Sequence, residues 1–254
     1  MKKALCLALA ALVSIMFIAA VALAAQIEMM ATTAVKDAVT DVLPQFEKTS
    51  KQTVKPVWDG TAVVTKRIAA GEVVDIVIVP GSAIDDLIKQ GRLVPGSRVD
   101  FVKSKIGVAV RPGVQKPDIS SAEALKSSLL ASKSILLSAG PSGGYLKGLF
   151  KKMGIEEQLK PKIKQLAPGV MVGEALARGE GDLGFTQISE FLTIKGIDYI
   201  GPLPEEIQSV TVYSIGLHAN AKSKAAAKKL IKFLTSPKAV SAIRNRGMEP
   251  AFGK

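Results

Sequence analysis

The chain is poor in the residues that carry most enzyme chemistry. Of its 254 residues, one is cysteine, one is histidine and one is tryptophan, and aromatics make up only 5%. The single cysteine, Cys6, lies inside the first apolar run, so the chain beyond it has no disulfide, no thiol nucleophile and no thiolate ligand. Metal ligation by clustered histidine or cysteine is excluded by count, and no cofactor is expected. After that first run no stretch is long and apolar enough to span a bilayer. There is also no internal repeat, no low-complexity linker and no long charge run. The lysines are scattered over predicted helix faces such as 222–232, without interleaved aromatics on which bases would stack, which excludes a nucleic-acid partner.

What is present begins with Met1-Lys2-Lys3 and an uncharged apolar run over 4–25 that ends Ala22-Leu23-Ala24-Ala25. This is the pattern of a secretory signal over 1–25, cut near Ala24 or Ala25, and it places the mature protein in the periplasm. The alternative is an uncleaved anchor, since about twenty apolar residues just span a membrane. Cys6 sits too early, with the wrong flanks, for a lipoprotein site. The formal charge is +12, and the mature chain remains basic after loss of Lys2 and Lys3. That favours anionic company, although a solvated basic surface accounts for much of it.

The remaining length suffices for one large domain or two lobes, with cores that need no covalent staples. Apolar runs and helical spacings alternate along it. Strands are expected at 26–30, 54–58, 75–79, 106–110, 134–139, 163–166, 183–186 and 210–217. Helices are expected around Val35 to Phe46, Val64 to Ile68, Ile84 to Ile88, 122–130, 144–153, 170–178 and 223–234, with a last one opened by Pro237 and closed by Gly247. The run Asp75-Ile76-Val77-Ile78-Val79 is continuous and β-branched, as in a strand covered on both faces, and predicts parallel pairing. The class is α/β. Composition alone does not separate two lobes.

In open parallel sheets, ligands bind where loops leave the carboxyl ends of strands and enter helices. Four such junctions are rich in small, hydroxylic or glycine residues: Ala31-Thr32-Thr33, Asp59-Gly60-Thr61, Gly140-Pro141-Ser142-Gly143-Gly144 and Pro168-Gly169. A helix start offers unpaired N–H groups and the positive end of a dipole, and small residues let an anion come close. Plain N-capping is the competing explanation of each junction. The third is not a phosphate loop, because its lysine falls at Lys147, three residues after Gly144. Enzyme readings are weaker. His218 reads as a satisfied surface histidine at a strand end, no GxSxG elbow supports a serine nucleophile, and Asp75, Asp182 and Glu190 read as caps or solvated carboxylates rather than a catalytic pair.

Several segments carry a resemblance to a known family: Ile68-Ala69-Ala70-Gly71-Glu72 ahead of Asp75-Ile76-Val77-Ile78, Gly179-Glu180-Gly181-Asp182-Leu183-Gly184, Gly201-Pro202-Leu203-Pro204-Glu205-Glu206 and Phe233-Leu234-Thr235-Ser236-Pro237. In order, and over essentially the whole mature chain, they resemble the periplasmic molybdate-binding proteins of ABC importers. Gln187-Ile188-Ser189-Glu190 and Gly247-Met248-Glu249-Pro250 are similar to a divergent branch of that family. The resemblance implies a type II periplasmic binding fold, with two doubly wound α/β lobes joined by two crossover strands near Lys105 and Tyr213. Lobe 1 would comprise 26–104 plus 214–254 and lobe 2 would comprise 105–213.

It also implies a small anionic ligand in the interlobe cleft, an ABC permease in the inner membrane as partner, and a monomer rather than an enzyme. The ligand-binding set carried over is Thr32, Thr33, Gly60, Thr61, Ser142, Gly143, Gly144, Gly169, Val170 and Gln187. Two departures bear on the ligand. Where molybdate binders place a tyrosine hydroxyl this chain aligns Gln187, and the serines of the first two loops are threonines. Both leave a molybdate-like oxyanion and a small carboxylate as expectations. An exported hydrolase, or a sensor or scavenger without an importer, are the alternatives.

Overall fold

The computed structural model describes residues 26–253, so the expected signal over 1–25 lies outside the described residues. Two sheets meet on one long strand. The first contains β1 (Gln26–Thr32), β2 (Thr53–Asp59) and β3 (Ile76–Pro80), with β1 paired in parallel to both neighbours. The second contains β5 (Ile135–Leu137), β6 (Ile163–Gln165) and β7 (Leu183–Gln187), with β5 again parallel to both. Strand β4 (Val99–Val110) belongs to both. Its first half pairs with β9 (Val210–Leu217) and β10 (Met248–Pro250), and its second half with β7 and β8 (Asp198–Pro202).

Pairing of β4 with β9 ends at Lys105, and pairing with β7 begins at Ile106. The Gln208 side chain sits at this transfer. It accepts from the Ile106 N–H at 2.9 Å and donates to the Ile106 carbonyl at 3.1 Å, so a backbone unit leaving one sheet for the other keeps both hydrogen bonds satisfied.

Period-two alternation explains the layers. In β3, Ile76 and Ile78 face a core shared with α1 (Lys36–Ser50), α8 (Lys224–Leu234) and α9 (Pro237–Asn245). Val77 and Val79 face α2 (Thr61–Ala69) and α3 (Gly81–Lys89) through Val64, Ile68, Ile84 and Leu87. With both faces covered, every position is apolar. In β5, Ile135 and Leu137 meet α4 (Ala122–Ala131) and α5 (Pro141–Lys152), with the short α6 (Glu156–Leu159) beside them. Leu136 meets α7 (Val172–Ala177) on the other face.

The expectation of parallel sheets is corrected in part. β3 pairs with β9 antiparallel, and β4 makes only antiparallel partnerships. The parallel core of each sheet is thus extended by strands that return the chain. Among the described residues no helix is long and apolar enough to cross a membrane.

Candidate functional site

The carboxyl ends of β1, β2 and β5 and the loop after β6 converge on one cleft of about 40 Å³ between the two sheets. It is lined by Thr32, Thr33, Gly60, Thr61, Ser142, Gly169, Val170 and Gln187, so eight of the ten residues expected at a ligand site come together. Gly143 and Gly144 do not. Gly143 packs its backbone against Ser138, where a Cβ would stand 1.9 Å from the carbonyl oxygen, and Gly144 faces open space. They carry the first turn of α5 rather than the cleft surface, because that helix starts at Pro141, three residues earlier than expected.

At two of the helix starts a preceding side chain takes the first N–H, Asp59 Oδ1 accepting from Gly60 at 2.7 Å and Ser138 Oγ from Gly140 at 3.3 Å. Thr32 precedes the 3-10 turn Thr33–Val35, Gly60 precedes α2 and Gly140 precedes α5, and none makes a side-chain cap bond. Among the described residues only α4 has such a cap, the Ser121 hydroxyl accepting from Ala124 N–H at 3.1 Å, so helices away from the cleft also start without one. The explanation by plain N-capping therefore does not hold at these three junctions. Gly169 differs from the expectation. It adopts φ 84° in a turn, and α7 begins only at Val172, so it does not itself open a helix. Its tight position has a cause: a Cβ on Gly60 would lie 3.0 Å from the Gly169 nitrogen, so the two loops touch backbone to backbone across the cleft.

Hydroxyls fill the space between these loops. Thr61 Oγ1 donates to Thr32 Oγ1 at 3.2 Å, and Ser138 and Ser142 share a hydrogen bond of 2.8 Å. Gln187 is 2% exposed; its Nε2 donates to Thr211 Oγ1 at 3.2 Å, and its Oε1 is buried with no partner. A buried amide oxygen without a partner costs about 1–3 kcal/mol, a debt that a ligand donor, or an amide turned over to offer its N–H groups, would remove.

Among the described residues neither lysine, arginine nor histidine lines the cleft. Its titratable groups are Glu190 and Tyr213, and the sequence reading missed both. Glu190, on the turn Ile188–Glu190 after β7, accepts from Thr33 Oγ1 at 2.8 Å through Oε1 and from Thr186 Oγ1 at 2.5 Å through Oε2. Burial raises its proton affinity above the ordinary carboxylate range, against the lowering effect of these donors and the Gln187 backbone N–H. Tyr213 reaches the cleft from β9; burial, and then the charge of Glu190, push its hydroxyl well above its ordinary value. The signal for Glu190 was present in the Thr186-Gln187-Ile188-Ser189-Glu190 turn, but nothing in the pattern tells a cleft carboxylate from a solvated one.

The other candidates have structural duties. Asp75 is buried and accepts from the Glu28 and Ser223 N–H groups at 2.9 and 2.7 Å. Asp182 pairs with Arg111 at 2.9 Å. His218 is not a surface residue: it is 2% exposed, its Nδ1 accepts from Asn220 N–H at 3.1 Å, and burial lowers its proton affinity. It does not line the cleft.

Comparison with known proteins agrees with this architecture. The chain is 35% identical over 218 residues to a Pseudomonas protein named aconitate isomerase, covering 84% of this chain and 83% of that one. It is 26% identical over 233 residues to the molybdate-binding protein ModA of Escherichia coli K12, covering 87% and 88%. The periplasmic molybdate-binding protein of Azotobacter vinelandii superposes with a TM-score of 0.73 at 18% identity, over 90% of this chain and 100% of that one. The fold is thus the mixed α/β fold of type II periplasmic binding proteins. Residues 27–249 match the family described as bacterial extracellular solute-binding protein, and the chain belongs to that family.

Proposed function

We propose that the protein binds a small anion in the cleft between its two sheets, in the periplasm, and delivers it to an ABC permease. The observation that carries this reading is the convergence of helix starts and hydroxyls on a cleft that, among the described residues, no cationic side chain lines. Such donors do not titrate, and they favour a dehydrated anion through hydrogen bonds and the helix dipole. The cleft holds about three waters' worth of space, which suits a tetrahedral oxyanion directly. A larger organic acid needs the sheets to part.

That parting is the hinge motion of the fold, with 26–104 and 214–254 moving as one lobe against 105–213. Two hydrogen bonds cross from the second sheet's Ile188–Glu190 turn to the first sheet's Thr33-Ala34 segment: Thr33 to Glu190, and Ser189 Oγ to the Ala34 carbonyl at 2.7 Å. They would form on closure and break on release.

A second reading is that the anion is an unsaturated tricarboxylate which the cleft also converts. The Pseudomonas relative's name and the carboxyl of Glu190 in the cleft favour it.

Thermal unfolding with molybdate, tungstate, sulfate, phosphate, citrate and aconitate tests the binding. A ligand at a hundred times its Kd adds about 2.7 kcal/mol, a rise of roughly 5–10 °C for a chain this size. Failure of every anion to raise Tm would end the anion reading.

A further inference from the structure

We propose that the cleft moves a proton as well as binding an anion: Glu190 serves first as base and then as acid, shifting a hydrogen between the two allylic carbons of a bound unsaturated polycarboxylate. This rests on the small-anion reading in its second form, an unsaturated tricarboxylate that the cleft converts, and deepens it by stating the step and the role of Glu190 in it.

The geometry supplies both halves of such a reaction. The basic half is Glu190, which lines the cleft with each oxygen held by one threonine hydroxyl, Thr33 from the first sheet and Thr186 from the second. When the sheets part to admit a polycarboxylate the Thr33 bond is released, while Thr186, on β7 just before the turn that carries Glu190, keeps its hold, so one oxygen stays fixed and the other faces the ligand. Thr186 is a positioning residue. Among the groups lining the cleft only Tyr213, from β9, also titrates, and it stays neutral. A carboxyl whose proton affinity is raised by burial is a stronger base once ionised.

The electrophilic half is the set of N–H groups at the starts of α2 and α5, with the Thr61 and Ser142 hydroxyls beside them. A carboxylate seated there gains negative charge as the neighbouring C–H bond opens, and preorganised donors stabilise charge that develops.

The step balances without any further reagent. Ionised Glu190 takes a proton from the methylene carbon that lies between a carboxylate and the carbon–carbon double bond. The C–H electron pair becomes the new double bond, the old double bond opens, and the negative charge spreads onto the far carbon and its carboxylate. The Glu190 carboxylic acid returns its proton to that far carbon on the same face. One C–H bond is broken and one is formed, the double bond has moved by one position, and Glu190 ends as it began. Neither oxidation nor added water is involved.

The test incubates the full chain with cis-aconitate in deuterated water and follows it by proton NMR, with Tm measured at the same ligand concentration. The wild type is expected to form the trans isomer, and to incorporate deuterium at the methylene and vinyl carbons to the extent that Glu190 exchanges its proton with solvent before returning it. Glu190→Gln is expected to slow both by on the order of 10²–10⁴-fold while keeping the aconitate-induced rise in Tm. Glu190→Asp, which retains the carboxyl but withdraws it by one methylene, is expected to turn over slowly, and it serves if the glutamine variant does not fold. A wild type stabilised by aconitate that neither forms the trans isomer nor exchanges deuterium overturns the proton shift and leaves the binding intact. A wild type stabilised by no anion overturns both, and a glutamine variant with full turnover overturns the role of Glu190.

Discussion

Gly143 and Gly144 are adjacent in the first turn of α5, yet substitution by alanine should act in opposite directions. A Cβ on Gly143 would stand 1.9 Å from the Ser138 carbonyl oxygen and 3.0 Å from its carbon. Restoring ordinary van der Waals separation requires the helix start to move by on the order of 1 Å. Overpacking of this kind costs about 1–3 kcal/mol, or roughly 2–12 °C in Tm. The same movement pulls Ser142 away from Ser138 at the cleft, so anion affinity should fall by roughly tenfold to a hundredfold, the worth of one charge-assisted hydrogen bond. Gly144 has nothing within 4 Å of its would-be Cβ. Alanine there reduces the freedom of the unfolded chain and should stabilise by about 0.5–1 kcal/mol with affinity unchanged. Urea denaturation and calorimetric titration of the two variants read both quantities. A Gly143→Ala protein within about 0.5 kcal/mol of wild type and with full affinity would refute the packing account. So would loss of anion binding in Gly144→Ala, which would restore that residue to the ligand site.

Two further outcomes follow from two carboxylates with different duties, Asp75 buried and Glu190 half-buried at the cleft. Asp75→Ala leaves the Glu28 and Ser223 N–H groups without their acceptor and should cost about 2–5 kcal/mol in urea denaturation; a loss below about 1 kcal/mol would mean that the donors find other partners. Glu190 carries a folded proton affinity raised above its ordinary value of 4.5, so its favourable contribution is full below pH 4.5 and is lost as pH rises through the folded value. Glu190→Gln does not ionise and should gain on the wild type between pH 4 and pH 8 in thermal unfolding without ligand; a difference independent of pH would contradict burial as the cause.

How much was legible in the chain depended on burial. β3 reads as a strand because both its faces are covered and every residue is apolar. The first half of β4 was not read. Asp100, Lys103 and Lys105 alternate with Phe101, Val102 and Ser104 in a strand with one wet side, and the sequence reading began only at Ile106. β8 and β10 were missed because they are short and contain Gly201, Pro202 and Pro250, residues that normally mark turns. At the site, the junction residues were visible because helix starts next to strand ends have a local signature. Glu190 and Tyr213 were not, since both reach the cleft from other elements by tertiary placement. Gly143 failed in the opposite direction: its glycine answers to the backbone of Ser138 rather than to a ligand.

The chain has a net charge of +12 and yet, among the described residues, no cationic side chain lines the cleft, while an acid sits at its wall. A lysine there would have to be stripped of water on each closure, whereas N–H groups and hydroxyls meet the ligand without that desolvation. The consequence falls on Glu190. A bound anion and an ionised Glu190 oppose each other in a partly dehydrated space with no positive side chain between them, so binding holds the proton on Glu190 and raises its proton affinity further. That makes it a stronger base and a scarcer one. Turnover should therefore increase with pH until Glu190 is ionised in the complex, while affinity decreases above the pH at which it ionises in the free protein. The two limbs need not coincide, and their separation measures the repulsion between ligand and carboxylate, at about 1.4 kcal/mol for each pH unit. On the proposed reading, a ligand-binding cleft and a proton-transfer site would be the same structure viewed at two protonation states of one side chain.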